Sequence, residues 1–209
     1  MASALQLRIH SVRCVDETGG RFAERFGNDE IYMGGHAMLG DGSTSVVPAF
    51  SVYPHFDDGD IKVYNPPRVF HTFALGPSFP QEFAVGLVLI EKDAGGMSDA
   101  IKRIADKVET EVRKRLEQPA AMVRQAEGQR ALSPLLAQAL AYAAPYVIDY
   151  VRKKLMGAIS DDLFQPQHTT VSIDSANFSW SGSPSSAVKT LTFRDHDGVY
   201  QVACDWNLV

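Results

Sequence analysis

Phe83-Ala84-Val85-Gly86-Leu87-Val88-Leu89-Ile90, followed at once by Glu91-Lys92-Asp93-Ala94-Gly95-Gly96, is the stretch that decides the fold. It is the strongest apolar run in the N-terminal half. Its length and its charged, glycine-rich flank suit a buried strand, not a helix. Immediately afterwards the period changes. Ile101, Ile104, Ala105, Val108, Val112 and Leu116 fall on one helical stripe, with charges on the other faces. Ser98 suits an N-cap and Asp99 a first-turn anion, while Pro119 ends or kinks the helix. A second helix is expected from Ser133-Pro134, with a stripe through Leu136, Leu140, Ala144, Val147, Val151 and Leu155. Pro145 would kink it and Gly157 would stop it. Residues 97–160 therefore read as a helical hairpin inserted between strands.

Outward from that centre the chain reads as β on both sides. Leu5, Leu7 and Ile9 alternate, and Val12 and Cys14 resume the alternation after a phase slip near Ser11 that suits a bulge. Ile31-Tyr32-Met33 and Ala37-Met38-Leu39 are runs separated by Gly34-Gly35, and Asp41-Gly42 marks a turn. Val46 to Tyr53, Ile61 to Tyr64 and Val69 to Leu75 follow. After the helices, Thr169 to Ile173 alternates, a Ser/Gly/Pro-rich loop covers Ser179 to Ser186, and Val188 to Phe193 leads to Asp197-Gly198, a hairpin signal. Strands that are not regularly interleaved with helices argue against a doubly wound α/β fold. The expected architecture is a mainly β, antiparallel β-sandwich over residues 1–209 as one domain, carrying the two-helix hairpin.

Composition sets the class. The 209 residues are 45 % apolar and 22 % charged, as in an ordinary soluble globular protein. A net charge of −5 speaks against nucleic acid, and Arg113-Lys114-Arg115 and Arg152-Lys153-Lys154 read as solvated helix faces. The two cysteines, Cys14 and Cys204, lie in the first and last apolar runs. A bridge is possible if those strands are neighbours, but two buried, unbridged thiols fit better. The N-terminal stretch alternates like a strand and gives no sign of a classical secretory signal, so a cytoplasmic location and a non-classical export route both stay open.

The chemistry sits in four acidic clusters where strand-like runs stop: Asp16-Glu17, Asp29-Glu30, Asp93 and Asp161-Asp162. Gathered at one sheet end, these carboxylates could serve one hard cation, since Ca²⁺ takes six to eight oxygen ligands. Asp93 and Asp161-Asp162 bracket the helical insertion, and an acidic pair at a helix C-terminus opposes the helix dipole. Asp57-Asp58-Gly59-Asp60 and Asp195-His196-Asp197-Gly198 lack EF-hand spacing and read as hairpin turns. The six histidines (His10, His36, His55, His71, His168, His196) show no zinc spacing and read as surface or satisfied core residues. Gly95-Gly96 before a helix could hold an anion, but the neighbouring acids oppose it.

The strand ending Cys14-Val15-Asp16-Glu17-Thr18, the run opened by Asp29-Glu30-Ile31-Tyr32, the acidic loop at Asp93 and Asp161-Asp162-Leu163-Phe164 resemble a group of uncharacterised bacterial proteins. Those are similar to the C-two family of calcium-dependent β-sandwich domains. The resemblance implies a calcium site at one end of the sandwich, with Asp16, Asp29, Asp93, Asp161 and Asp162 at matched positions. Residues 97–160 stand where that family keeps a short calcium loop, a departure that bears against phospholipid binding. The expected function is a non-catalytic, calcium-binding module for an unknown protein partner or for self-assembly. Its rivals are a membrane-active effector that inserts the helical hairpin, and a metal-dependent hydrolase using the same carboxylates.

Overall fold

The computed structural model describes residues 2–17, 29–91, 97–117, 135–150, 162–195 and 198–209. Among these residues nine strands run in chain order: β1 (Ala4–Asp16), β2 (Asp29–Leu39), β3 (Thr44–Phe56), β4 (Ile61–Ala74), β5 (Gln81–Glu91), β6 (Asp162–Leu163), β7 (Gln167–Ile173), β8 (Lys189–Asp195) and β9 (Gly198–Leu208). Two helices among the described residues, α1 (Met97–Leu116) and α2 (Leu135–Tyr150), fall between β5 and β6. Every strand pairing is antiparallel. One sheet has the order β4-β1-β9-β8, and the other β3-β2-β5-β6, with β7 also against β5. The expected β-sandwich is the fold.

β6 and β7 act as one interrupted edge strand. They pair successively with β5, at Ile90–Glu91 and at Gln81–Leu87, and Phe164 N–H donates to the Leu89 carbonyl between them. For brevity, sheet A is the one built on β1 and β9, and sheet B the one built on β2 and β5.

The architecture has three layers, and β5 explains why. Phe83, Val85, Leu87 and Leu89 point into the core between the sheets, where Leu5, Ile9 and Trp206 also lie. Ala84, Val88 and Ile90 point the other way, into a second core shared with Ile101, Ile104 and Val108 of α1 and Ala139, Ala143 and Val147 of α2. A strand covered on both faces has no use for alternation, which is why this run is apolar throughout. Each such fully buried side chain contributes on the order of 1.5–3 kcal/mol. The α1 stripe is buried as its spacing predicts from Ile101 to Val112, and Leu116 at its end is partly buried. Of the α2 stripe, Leu140 and Val147 are buried as expected, Ala139 and Ala143 join them, and Ala144 is only partly buried. Pro145 lies inside α2, while Pro119, Ser133, Pro134, Val151, Leu155 and Gly157 lie outside the described residues. α1 begins at Met97, one residue before the expected cap at Ser98.

Four local expectations are settled by register. The slip near Ser11 is real: the pairing of β1 with both neighbours shifts between Ile9 and Ser11. Gly34-Gly35 does not interrupt a strand, because β2 runs through both and uses their missing Cβ atoms for close approach. The runs Ile61–Tyr64 and Val69–Leu75 belong to one strand, β4, with a bulge over 64–67. Cys14 and Cys204 sit on neighbouring strands, but Cys14 faces Tyr200 and Cys204 faces Ile9, so no disulfide joins them. Burial pushes the Cys204 thiol up to about 11, which leaves it unreactive.

β3 and β4 are the outer strands on one side of the two sheets. Both place prolines in their bulges, Pro48 and Pro54 in β3 and Pro66 and Pro67 in β4. Proline has no N–H to offer an incoming strand, so these edges are blunted by more than charge. Pro48→Thr with Pro54→Thr should restore a pairing edge on β3. Light scattering would then show concentration-dependent association, and a variant as monodisperse as the parent would contradict this role.

Candidate functional site

The strand directions put five acidic segments at one rim. β1 ends there with Asp16 and Glu17, β2 starts there with Asp29 and Glu30, and β5 ends there with Glu91. Asp162 of β6 lies opposite Glu91, so the helical insertion leaves sheet B and rejoins it at a single point. Asp29 lies opposite Phe56, the residue before the Asp57–Asp60 turn. That turn is not a hairpin within one sheet, since it carries the chain from β3 in sheet B to β4 in sheet A.

The same turn stitches the rim together. Cys14 N–H donates to the Asp60 carbonyl (2.9 Å), Gly59 N–H to the Cys14 carbonyl (3.2 Å) and Glu17 N–H to Asp58 Oδ1 (2.9 Å). Gly59 has φ +86°, a left-handed conformation that glycine adopts without strain. Asp57 and Asp60 also accept backbone N–H groups inside the turn, at 2.8 Å and 3.2 Å. These carboxylates are partly occupied by the loop itself.

The placement of the seven expected ligands is uneven. Asp16 and Glu30 are exposed and Glu17 is partly buried at the rim. Asp29 and Asp162 are placed there by their backbone alone, and Asp93 and Asp161 lie outside the described residues. Among the described residues, no group of three or more His, Cys, Asp or Glu side chains is arranged to hold a metal ion. The donors that do reach the rim are all oxygen, the chemistry of a hard cation. Asp195 pairs with Gly198 across the β8–β9 hairpin, whose two loop residues His196 and Asp197 lie outside the described residues.

No family model matches the chain, and no curated protein matches it. Among the described residues no helix is long and apolar enough to cross a membrane.

Two polar arrangements escape the sequence reading. On the outer face of sheet A, Arg8 grips both oxygens of Asp205, its cross-strand partner, and His10 Nε2 lies 3.2 Å from Asp205 Oδ1. Arg8 Nη2 also donates to Ser185 Oγ (3.1 Å), which tethers the loop that runs beside β9. The second is a pair of histidines on the helix-facing side of sheet B. His36 of β2 and His168 of β7 flank Gly86 of β5, and their rings stand 5.3 Å apart, tilted by 57°. His36 Nδ1 and Nε2 and His168 Nε2 are buried with no hydrogen-bond partner. Burial, with the second ring's charge, lowers His36 to about 3, and burial lowers His168 to about 4. The signal was the glycine in the middle of an apolar run: Gly86 leaves room for a ring, and a Cβ there would lie 2.1 Å from His36 Cε1.

Proposed function

We propose that the chain is a non-catalytic β-sandwich module that binds Ca²⁺ through its acidic rim, in the manner of the C-two domains it resembles. One observation carries the reading: segments as distant in sequence as Asp16 and Asp162 are folded to the same end of the sandwich. Two like charges 4 Å apart cost on the order of 4 kcal/mol at an effective dielectric near 20, so gathering them invites a cation. The bound ion would order the rim loops and present them to a partner. The ligands would be drawn from Asp16, Glu17, Asp29, Glu30, Asp93, Asp161 and Asp162.

Thermal melts in EDTA and in millimolar Ca²⁺ test this directly. A native-state ligand at 100 times its Kd adds about 2.7 kcal/mol. For a chain of this size that is a rise in Tm of roughly 5–10 °C. Asp161→Asn with Asp162→Asn should abolish the rise. A parent protein with the same Tm in both buffers would end the proposal.

A further inference from the structure

The histidine pair, His36 buried and His168 partly buried with its Nε2 enclosed, has no part in the rim, and its position suggests a separate role. On β2 the residues Tyr32, Gly34, His36 and Met38 face the helices. A Cβ at Gly34 would meet Ile101 of α1, and one at Gly42 would meet Val112 and Leu116. α1 therefore runs along β2, and His36 lies on the covered face between those contacts. His168 reaches the same face from β7, since Thr169 beside it points into the core between the sheets, where it accepts the Trp206 Nε1–H bond (3.3 Å). The two rings thus sit at the seam between sheet B and the helical layer.

We propose that His36 and His168 form an acid-sensitive latch, which holds the helical layer on sheet B while both rings are neutral and releases it when they take up protons. A neutral imidazole tolerates an apolar seam, whereas an imidazolium at His36 is a buried charge with no carboxylate bonded to it among the described residues. A second imidazolium 5.3 Å away makes it worse. The titratable groups on the surrounding elements do not relieve this. Glu111 on α1 is bound to Lys107 (2.7 Å) and Lys114 (3.0 Å), and those bonds hold its carboxyl below the usual range. Glu109 is bound to Arg113 and to Thr44 of β3. Asp99, Lys102, Arg103 and Asp106 on α1, Tyr32 on β2, Glu82 on β5 and Tyr146, Asp149 and Tyr150 on α2 are further titratable groups on the described parts of these elements, and the charge that bears on His36 is that of His168. A metal is a poorer explanation, because no third ligating side chain joins the pair among the described residues.

The sign follows from linkage. Both folded-state values lie below the ordinary imidazole value of 6.5, so the released state binds more protons as the pH falls below it. The latch is fully held above about pH 6.5 and weakens steadily toward pH 4. Release would bare the α1 stripe and the outer face of β5 while the core between the sheets stays closed.

Hydrogen exchange of the full chain at pH 7.5 and 4.5, corrected for the intrinsic rate, tests this. Peptides from α1 and α2 should lose protection at least 10-fold at pH 4.5, and those from β1 and β9 should keep theirs. His36→Phe with His168→Phe keeps ring volume without a titrating nitrogen and should move the midpoint down by about a pH unit or more. Unchanged helix protection in the parent, or the same midpoint in the variant, would overturn the latch. If that variant does not fold, NMR of ¹³C-labelled imidazoles in the parent decides. The two rings should stay neutral through pH 5 and protonate only as the helices lose protection, and ordinary titration near 6.5 with the helices in place would refute it.

Discussion

Gly35→Ala is expected to cost more than about 4 kcal/mol, the range reserved for a specific structural insult, and to leave little native protein at 37 °C. An added Cβ would stand 1.9 Å from the Gly86 carbonyl oxygen and 3.0 Å from its carbon. The obstacle is the backbone of β5, which is paired on both sides and packed on both faces. Nothing there can rotate away. Gly86→Ala makes a useful contrast, because the three atoms nearest its Cβ all belong to the His36 ring. That ring is buried, but it is a side chain, so overpacking should cost about 1–3 kcal/mol. At roughly 2–4 °C per kcal/mol the two variants would be clearly separated by Tm. Urea unfolding would give the same order, and a Gly35→Ala protein within about 1 kcal/mol of the parent would mean that β2 and β5 do not approach so closely.

The contrast between these glycines shows what the sequence could and could not reveal. β5 was legible because a run with no polar member has to be covered on both faces, and the helical stripe that follows it supplied the cover. The bulge at Ser11 was legible because a phase slip is a local property. Gly34-Gly35 looked like an interruption because the reason for it lies 51 positions away, in the carbonyl of Gly86. The histidines read as surface or satisfied core residues for the same reason: His36 and His168 become a pair only when β2, β5 and β7 are in register. The acidic rim falls between these cases. That several acidic segments end strands at one place could be read from strand order. Whether their side chains converge depends on loop geometry, which the spacing of aspartates does not encode. β4 was split in two because its bulge carries Asn65-Pro66-Pro67, a turn signal that the pairing with β1 overrides.

Asp205→Ala should be the most damaging change on the outer face of sheet A. Asp205 is 3 % exposed although neither described helix packs on its face of the sheet. The burial comes from the loop before β8: Ser186 N–H donates to the Trp206 carbonyl (2.8 Å), Leu208 N–H to the Pro184 carbonyl (2.8 Å), and Ser185 Oγ bonds both Arg8 and Asn207 Oδ1. Removing one member of a buried ion pair typically costs about 3–5 kcal/mol, because the other charge is left without its partner. Arg8 is 22 % exposed and can recover some hydration, so the cost here is about 2–4 kcal/mol, or roughly 4–16 °C in Tm. Arg8→Met with Asp205→Leu separates two explanations. If the loss comes from a stranded guanidinium, the double variant should regain at least half of it, since buried pairs are often replaceable by apolar residues of similar volume. If it comes from undocking the loop that Arg8 tethers through Ser185, the double variant should be no better than the single one. The bidentate grip of Arg8 and the approach of His10 to the same carboxylate favour the first outcome, and the measured recovery decides between them.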